Sequence, residues 1–356
     1  MRYDGITKTI KAVQKRGRTM VSLKDIAAAC GVSVATVSKA LNNQSDISEA
    51  RRAQIRKTAN EMGYLPNMAA RALKTKATHD IGVLFADGHR SGLTHPFFSE
   101  VLEGLRVRAE SQGYDITFIN MQLQKKKVTY LEHCKYRNVD GVVIACVDFT
   151  QPEVLELVNS SIPVVTIDHV FDRCATISSN NQKGIQELVK YAASLGHERI
   201  AYIHGKSSSV TDARLAGFFG TMEELGLEVP EEYMKEVAYL DDEAAGEATR
   251  ELLALRRKPT CILYPDDFAA IGGINEIKAR GLRIPEDISV VGYDGISYSK
   301  VMEPSLTTVE QDTSKLGKTA AANLIRLIEK PKTTSLSREI IQGHVLIGKS
   351  VSRLKF

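Results

Sequence analysis

The stretch LKDIAAACGVSVATVSKALN, residues 23–42, decides the first part of the fold. It reads as two short helical runs, 23–30 and 34–41, broken at Gly31 and again at Asn42 and Asn43. A helix-turn-helix needs a small side chain where its helices cross, and Ala27 supplies one. It also needs a residue that tolerates left-handed backbone at the end of the first helix, and Gly31 sits four residues on. Apolar side chains must then pin the second helix onto the first; Ile26, Cys30, Val32, Val37 and Ala40 fall at those places. Ser33 stands as the cap of the second helix, whose first N–H groups are free to face a phosphate. An ordinary helical hairpin shares the Ala–Gly–Val spacing. The five apolar positions, the cap and the basic surroundings favour a nucleic-acid reader. A third helical run, 48–62, has Ser48 as its candidate cap and ends at Gly63, with Pro66 beyond.

The surroundings are basic. Residues 1–77 hold fifteen Lys/Arg against five Asp/Glu, while the remaining 279 hold 32 against 38, within an overall charge of +4. A solvated basic tail would look similar by charge alone, but a basic head on a mildly acidic body suits a head that meets phosphate. The five cysteines are scattered and never spaced as CxxC, which points away from a disulfide framework or a structural zinc and toward a reducing cytoplasm. No apolar run approaches the roughly 18 residues of a membrane span. MRYDGITKTIKAVQKRGRTM has charge without the apolar centre of a secretory signal.

From residue 81 the texture changes. Apolar strand-like runs at 81–85, 115–120, 141–147, 163–168, 199–204, 236–240, 260–265 and 288–294 alternate with amphipathic helical stretches. Near-continuous apolar strands separated by helices mean parallel sheets covered on both faces. Eight such units exceed what one doubly wound sheet usually holds. The expected fold is therefore an α/β core of two doubly wound parallel-sheet lobes, behind an all-α N-terminal helix-turn-helix domain. The late pieces TTVEQD, the helix around 314–328 and EIIQGHVLIG are expected to cross back and finish each lobe. The expected divisions are 1–20 an extension, 21–66 the helix-turn-helix domain and 67–78 a hinge helix and linker. The first lobe takes 79–176 plus 307–337, and the second takes 177–306 plus 338–356.

VSLKDIAAACGVSVATVSKALNN, continued by GYLPNMAARALKTKATHDIGVLF, resembles the LacI/GalR family of repressors. The resemblance implies that Val34 and Ala35 open the recognition helix and set base preference. Ser33, Thr36 and Ser38 match phosphate-contacting positions, and Asn42 joins the DNA-facing set. Lys39 stands where the family more often has Arg; Arg reads guanine bidentately, while Lys offers a point charge on a flexible stem. NMAARALK, residues 67–74, is implied to become a helix only on operator DNA, paired with its copy in the minor groove. Leu73 would wedge between central base pairs, with Asn67, Ala70 and Lys74 beside it. The first nineteen residues precede the family's usual beginning and are either a mis-assigned start upstream of Met20 or a basic arm adding nonspecific affinity. The chain closes on SVSRLKF soon after its last strand, which leaves little length for a tetramerising heptad tail.

HPFFSEVLEGLRVRAESQGYDI, LGHERIAYIHG, TDARLAGF, LYPDDFAAIGG and SVVGYDGISYSKVMEPSLTTVEQD resemble the family's regulatory core, which shares its fold with type I periplasmic sugar-binding proteins. Ligand contacts belong at the carboxyl ends of strands, where Asp87, Asp168, Asp266 and Asp294 stand. By motif match Arg214, Asp266 and Asp294 are ligand contacts, Asp168 a fourth, and Phe97 an aromatic wall. Asp267 reads as the cap of the helix that follows. A lone strand-end Asp is more often a cap or turn residue, so the case rests on the set. Carboxylates accept from hydroxyls, Arg donates to two oxygens, and an aromatic face covers a sugar ring. In SSNNQKG, Asn180 stands where the family usually has Asp.

The expected function is a cytoplasmic, sequence-specific DNA-binding regulator, a repressor acting as a homodimer on operator double-stranded DNA. A small effector, a sugar, sets its affinity; a nucleoside or purine corepressor is the alternative ligand. An exported solute-binding protein is the alternative class, but it would carry a signal peptide and no basic head. HExxH, GxSxG, GxxxxGK[ST] and a post-strand GxGxxG are absent, which argues against an enzyme, and no cofactor, metal or membrane is expected. His197, in LGHERI, reads as a turn residue before a strand and not as a base.

Overall fold

A computed structural model describes residues 21–44, 46–65, 77–86 and 92–354. The hinge positions Asn67, Ala70, Leu73 and Lys74, together with Asp87, lie outside these residues. The chain forms two compact units, 1–78 and 79–356.

The head contains α1 (Leu23–Cys30), α2 (Val34–Leu41) and α3 (Glu49–Glu61). A capping box starts α1: Ser22 Oγ accepts from Asp25 N–H, and the Asp25 carboxylate accepts from Ser22 N–H at 2.9 Å. Gly31 ends it in the left-handed conformation at φ 62°. Ile26, Ala27, Val37, Ala40, Ile55 and Ala59 form the head's small core, with Cys30 and Val32 half-buried against it. The positions expected to pin the helices do so. Ser48 stands at the N-cap of α3 but makes no side-chain capping bond.

The body is built on two parallel sheets. In chain order its elements are β1 (Asp80–Phe85), α4 (Pro96–Ser111), β2 (Asp115–Ile119), a short hairpin of β3 (Gln122–Leu123) and β4 (Lys126–Lys127), α5 (Tyr130–Arg137) and β5 (Gly141–Ala145). Next come α6 (Pro152–Val158), β6 (Val164–Ile167), β7 (Ala175–Ser179), α7 (Asn181–Ser194), β8 (Ile200–His204), α8 (Ser209–Glu224), β9 (Met234–Glu236) and α9 (Asp242–Ala254). The chain continues through β10 (Cys261–Leu263), α10 (Asp267–Ala279), β11 (Ser289–Val291), α11 (Ser297–Val301), β12 (Thr308–Glu310), α12 (Thr313–Glu329), β13 (Arg338–Ile341) and β14 (His344–Leu346).

The first sheet runs β13-β7-β6-β5-β1-β2 and the second β11-β10-β8-β9, every pairing parallel. Each has an apolar cluster on both faces, as strands such as GVVIA with five buried residues require. In the first lobe α12 lays Leu316, Ala320 and Leu324 on the sheet beside α4. The two helices meet closely: a Cβ on Gly317 would stand 1.9 Å from the Val101 carbonyl oxygen.

Lobe boundaries differ from the expected ones. The division at Thr176 falls inside β7, which pairs with β6 and β13 in the first sheet, so residues 338–341, expected in the second lobe, belong to the first. β12 pairs antiparallel with β14, and Thr307 bridges to Val291 of β11, so residues 307–310 belong with the second lobe. The chain therefore crosses between lobes near residues 180, 311 and 342. The strand expected at 236–240 lies earlier, at Met234–Glu236. Among the described residues no helix is long and apolar enough to cross a membrane.

Candidate nucleic-acid interface and ligand site

On α2 the buried face is Val37 and Ala40, both 0% exposed, so the opposite face is free. Ser33, Val34, Ala35, Lys39 and Asn42 are exposed; Thr36 and Ser38 are half-buried. Ser33 Oγ accepts from Thr36 N–H at 3.1 Å, the expected cap. Asn42 ends the helix by donating Nδ2–H to Ser38 O at 2.7 Å. The Lys39 ammonium meets the Asp46 carboxylate at 2.5 Å. This pairing was not foreseen in the sequence.

The second site gathers at the carboxyl ends of β6, β10 and β11 and the start of α8. Arg214 is 3% exposed. Its Nε–H donates to Asn181 Oδ1 at 2.9 Å and its Nη1–H to Pro265 O at 2.6 Å. Nη2 lies 3.7 Å from Asp294 Oδ1, and the guanidinium stacks 3.5 Å from the Tyr293 ring centroid. Asp294 Oδ1 also accepts from Gln311 Nε2–H at 2.7 Å. Asp168 takes left-handed backbone at φ 59°; its carboxylate accepts from Ser179 N–H, and its carbonyl accepts from Ser209 Oγ–H at 2.7 Å, tying the two lobes together.

The cap expected at Asp267 falls to its neighbour. Asp266, not Asp267, caps α10: it accepts from Ala269 N–H at 2.8 Å and from Leu240 N–H at 2.9 Å. Asp267, 0% exposed, braces the second lobe by accepting from Ile296 N–H and Thr308 Oγ1–H. The first of two adjacent aspartates reaches the non-helical φ/ψ that capping requires, φ −156°, and the second is already helical. Phe97 packs half-buried on the first-lobe core, next to buried Phe98. A different aromatic group stands beside Asp168: His169 stacks on Phe149 at 4.3 Å and 6°, and its Nδ1 faces Ser209 Oγ. His197, expected at a turn, is buried between Thr260 Oγ1 and Ser352 O.

Burial dominates the electrostatics. It pushes Asp168 up to about 6, against the Ser179 N–H and Arg214, and Asp267 up to about 7, against Thr308 and Ile296. Asp266 and Asp294 are raised by the same cause, opposed at Asp266 by the Leu240 and Ala269 N–H groups and at Asp294 by Arg214. Gln311 was also missed by sequence reasoning. It is 7% exposed and its Oε1 is buried without a hydrogen-bond donor. Two surface grooves, about 420 and 360 Å³, lie elsewhere, around Tyr233 and Arg257 and between α4 and α12. Neither surrounds a buried cation with carboxylates, so chemistry favours the Arg214 group over size.

Residues 78–350 match the family described as periplasmic binding proteins and sugar binding domain of LacI family, and residues 22–67 match bacterial regulatory proteins, lacI family. The chain belongs to the LacI family. Among relatives of this LacI-family chain is the HTH-type transcriptional repressor PurR of Pasteurella multocida (strain Pm70), 32% identical over 94% of this chain and 100% of its own. The probable HTH-type transcriptional repressor ExuR of Bacillus subtilis (strain 168) is also 32% identical, over 94% and 99%. The Lac repressor dimer bound to operator and the anti-inducer ONPF superposes with a TM-score of 0.77 at 26% identity, covering 94% of this chain and 100% of that one. The family and fold class expected from the motifs stand. This LacI-family chain is a DNA-binding transcriptional regulator with a periplasmic-binding-protein-like core.

Proposed function

We propose that this LacI-family regulator is a cytoplasmic repressor, acting as a homodimer on operator DNA, whose affinity is set by an uncharged polyol, a sugar, held around Arg214. Val34 and Ala35 read base edges in the major groove, Ser33, Thr36 and Ser38 position the helix on phosphates, and residues 67–78 form the hinge with Leu73 as its wedge. The observation that carries the ligand class is one buried guanidinium among the carboxylates Asp168, Asp266 and Asp294. Carboxylates accept from hydroxyls; an anionic effector would meet their repulsion. The work is binding and a change of lobe angle, without a bond broken.

A nucleoside or purine corepressor is the second reading. The Phe149–His169 stack beside Asp168 is a flat surface that a base could extend, and relatives of this chain are named PurR.

Thermal-shift measurements on the full chain with sugars, polyols, nucleosides and purines separate the two readings, since a ligand of the folded form raises the melting temperature. Arg214→Ala is expected to abolish the shift and the change in operator affinity while leaving ligand-free DNA affinity within about twofold. A retained response in that variant would move the pocket elsewhere.

A further inference from the structure

Among the described residues of the head, four are acidic, and three have local duties. Asp25 closes the capping box of α1, Glu49 opens α3 with Arg52 3.8 Å away, and Glu61 faces Lys57 one turn back. Asp46 pairs with the recognition helix, through Lys39.

The loop that carries Asp46 is anchored. Arg52 Nη2–H donates to Gln44 O at 3.0 Å and Ile47 O at 3.2 Å, Arg56 donates to Asn43 Oδ1, and Gln44 N–H donates to Lys39 O at 3.1 Å. Backbone on either side of Asp46, at Gln44 and Ile47, is thus tied to α3. The ammonium and the carboxylate are both about half exposed, 45% and 52%, so the pair stands on open surface and not in the core.

An unpaired lysine on a groove-facing helix is a poor discriminator, because a compact charge on a flexible stem is satisfied by any nearby phosphate. A carboxylate beside it changes both properties. It occupies one of three N–H donors, which fixes the direction of the stem while leaving two for a base edge. It also cancels the net charge, which removes most of the attraction to phosphates in arbitrary sequence.

Resting on the DNA-interface reading, we propose that Asp46 is a positioning and specificity-determining residue, clamping Lys39 toward a base edge and suppressing its use as a nonspecific phosphate contact. The pair would do with two side chains part of what a bidentate arginine does with one.

The test uses the full chain and two probes: a random-sequence duplex titrated across KCl concentrations by fluorescence anisotropy, and a randomised duplex library from which bound sequences are selected. Asp46→Asn is expected to raise affinity for the random duplex about three- to tenfold and to steepen the slope of log K against log salt by about 0.9, one extra phosphate contact. It should also flatten base preference at the position that Lys39→Ala flattens. Asp46→Glu should keep the wild-type slope and profile. In a Lys39→Ala background Asp46→Asn should change neither.

Equal effects of Asp46→Asn with and without Lys39 would reduce Asp46 to a general repulsive charge and overturn the proposal, as would an unchanged base profile. A wild-type chain with no salt-dependent affinity for the random duplex would remove the interface reading itself.

Discussion

Arg214, the side chain proposed to hold the effector, is oriented by the protein itself. Its Nε and Nη1 are committed to Asn181 and Pro265, and its plane lies on Tyr293, so orientation is settled in advance. Pre-set geometry reduces the ordering cost of binding. Asp168 gives the pH dependence. Its carboxyl is raised to about 6 by burial, so its share of folding stability is complete below its ordinary value near 3.8 and fades as pH rises through 6. Ligand acceptance runs the opposite way, because only the carboxylate is a full acceptor. Sugar affinity measured by calorimetry is expected to fall several-fold between pH 7.5 and pH 5, and Asp168→Asn should flatten that fall. At this scale the sequence named strand-end residues that the fold brings together around Arg214, and left their division of labour hidden. Asp266 against Asp267 turns on a single φ/ψ choice at the start of α10, and the place of Phe97 on which side of α4 meets the sheet.

Among the elements, close helix contact decides what can change. The Cβ of alanine at position 317 would collide with backbone of α4, so Gly317→Ala is expected to cost about 1–3 kcal/mol, read as a lower melting temperature of the body. Gly220 on α8 has nothing within 4 Å of such a Cβ, and Gly220→Ala should leave stability unchanged or raise it by up to about 1 kcal/mol. Failure of the two variants to separate would mean that α4 and α12 slide apart freely. The short helices of the head were legible because each signal is local: a cap, a small crossing residue, a glycine. α1 and α2 fall on residues 23–30 and 34–41 as read. β7, the strand ATISS, was not legible, because one neighbour, β13, comes from residues 338–341 and nothing nearby marks the pairing. For the same reason the lobe boundary was placed inside it.

Over the whole molecule the charge is divided as the work is divided, with a basic head and an acidic body. Such a division favours diffusion to DNA by one end while leaving the other to small molecules. If effector and operator both select a lobe angle, their effects must be reciprocal. The factor by which a stabilising sugar changes operator affinity, measured by anisotropy, is expected to equal the factor by which operator DNA changes sugar affinity, measured by calorimetry. Unequal factors would mean that the two events do not share one equilibrium.

Three passages of chain join the lobes, and they are knitted side by side: Asn180 donates to Gln342 at 3.0 Å, and Gln311 holds Asp294 beside Arg214, which in turn holds Asn181. A door hung on one pin can swing and twist; a door hung on three pins can only swing. If the proposed effector binds between the lobes, three linked crossings would favour a single rotation over twisting as the response.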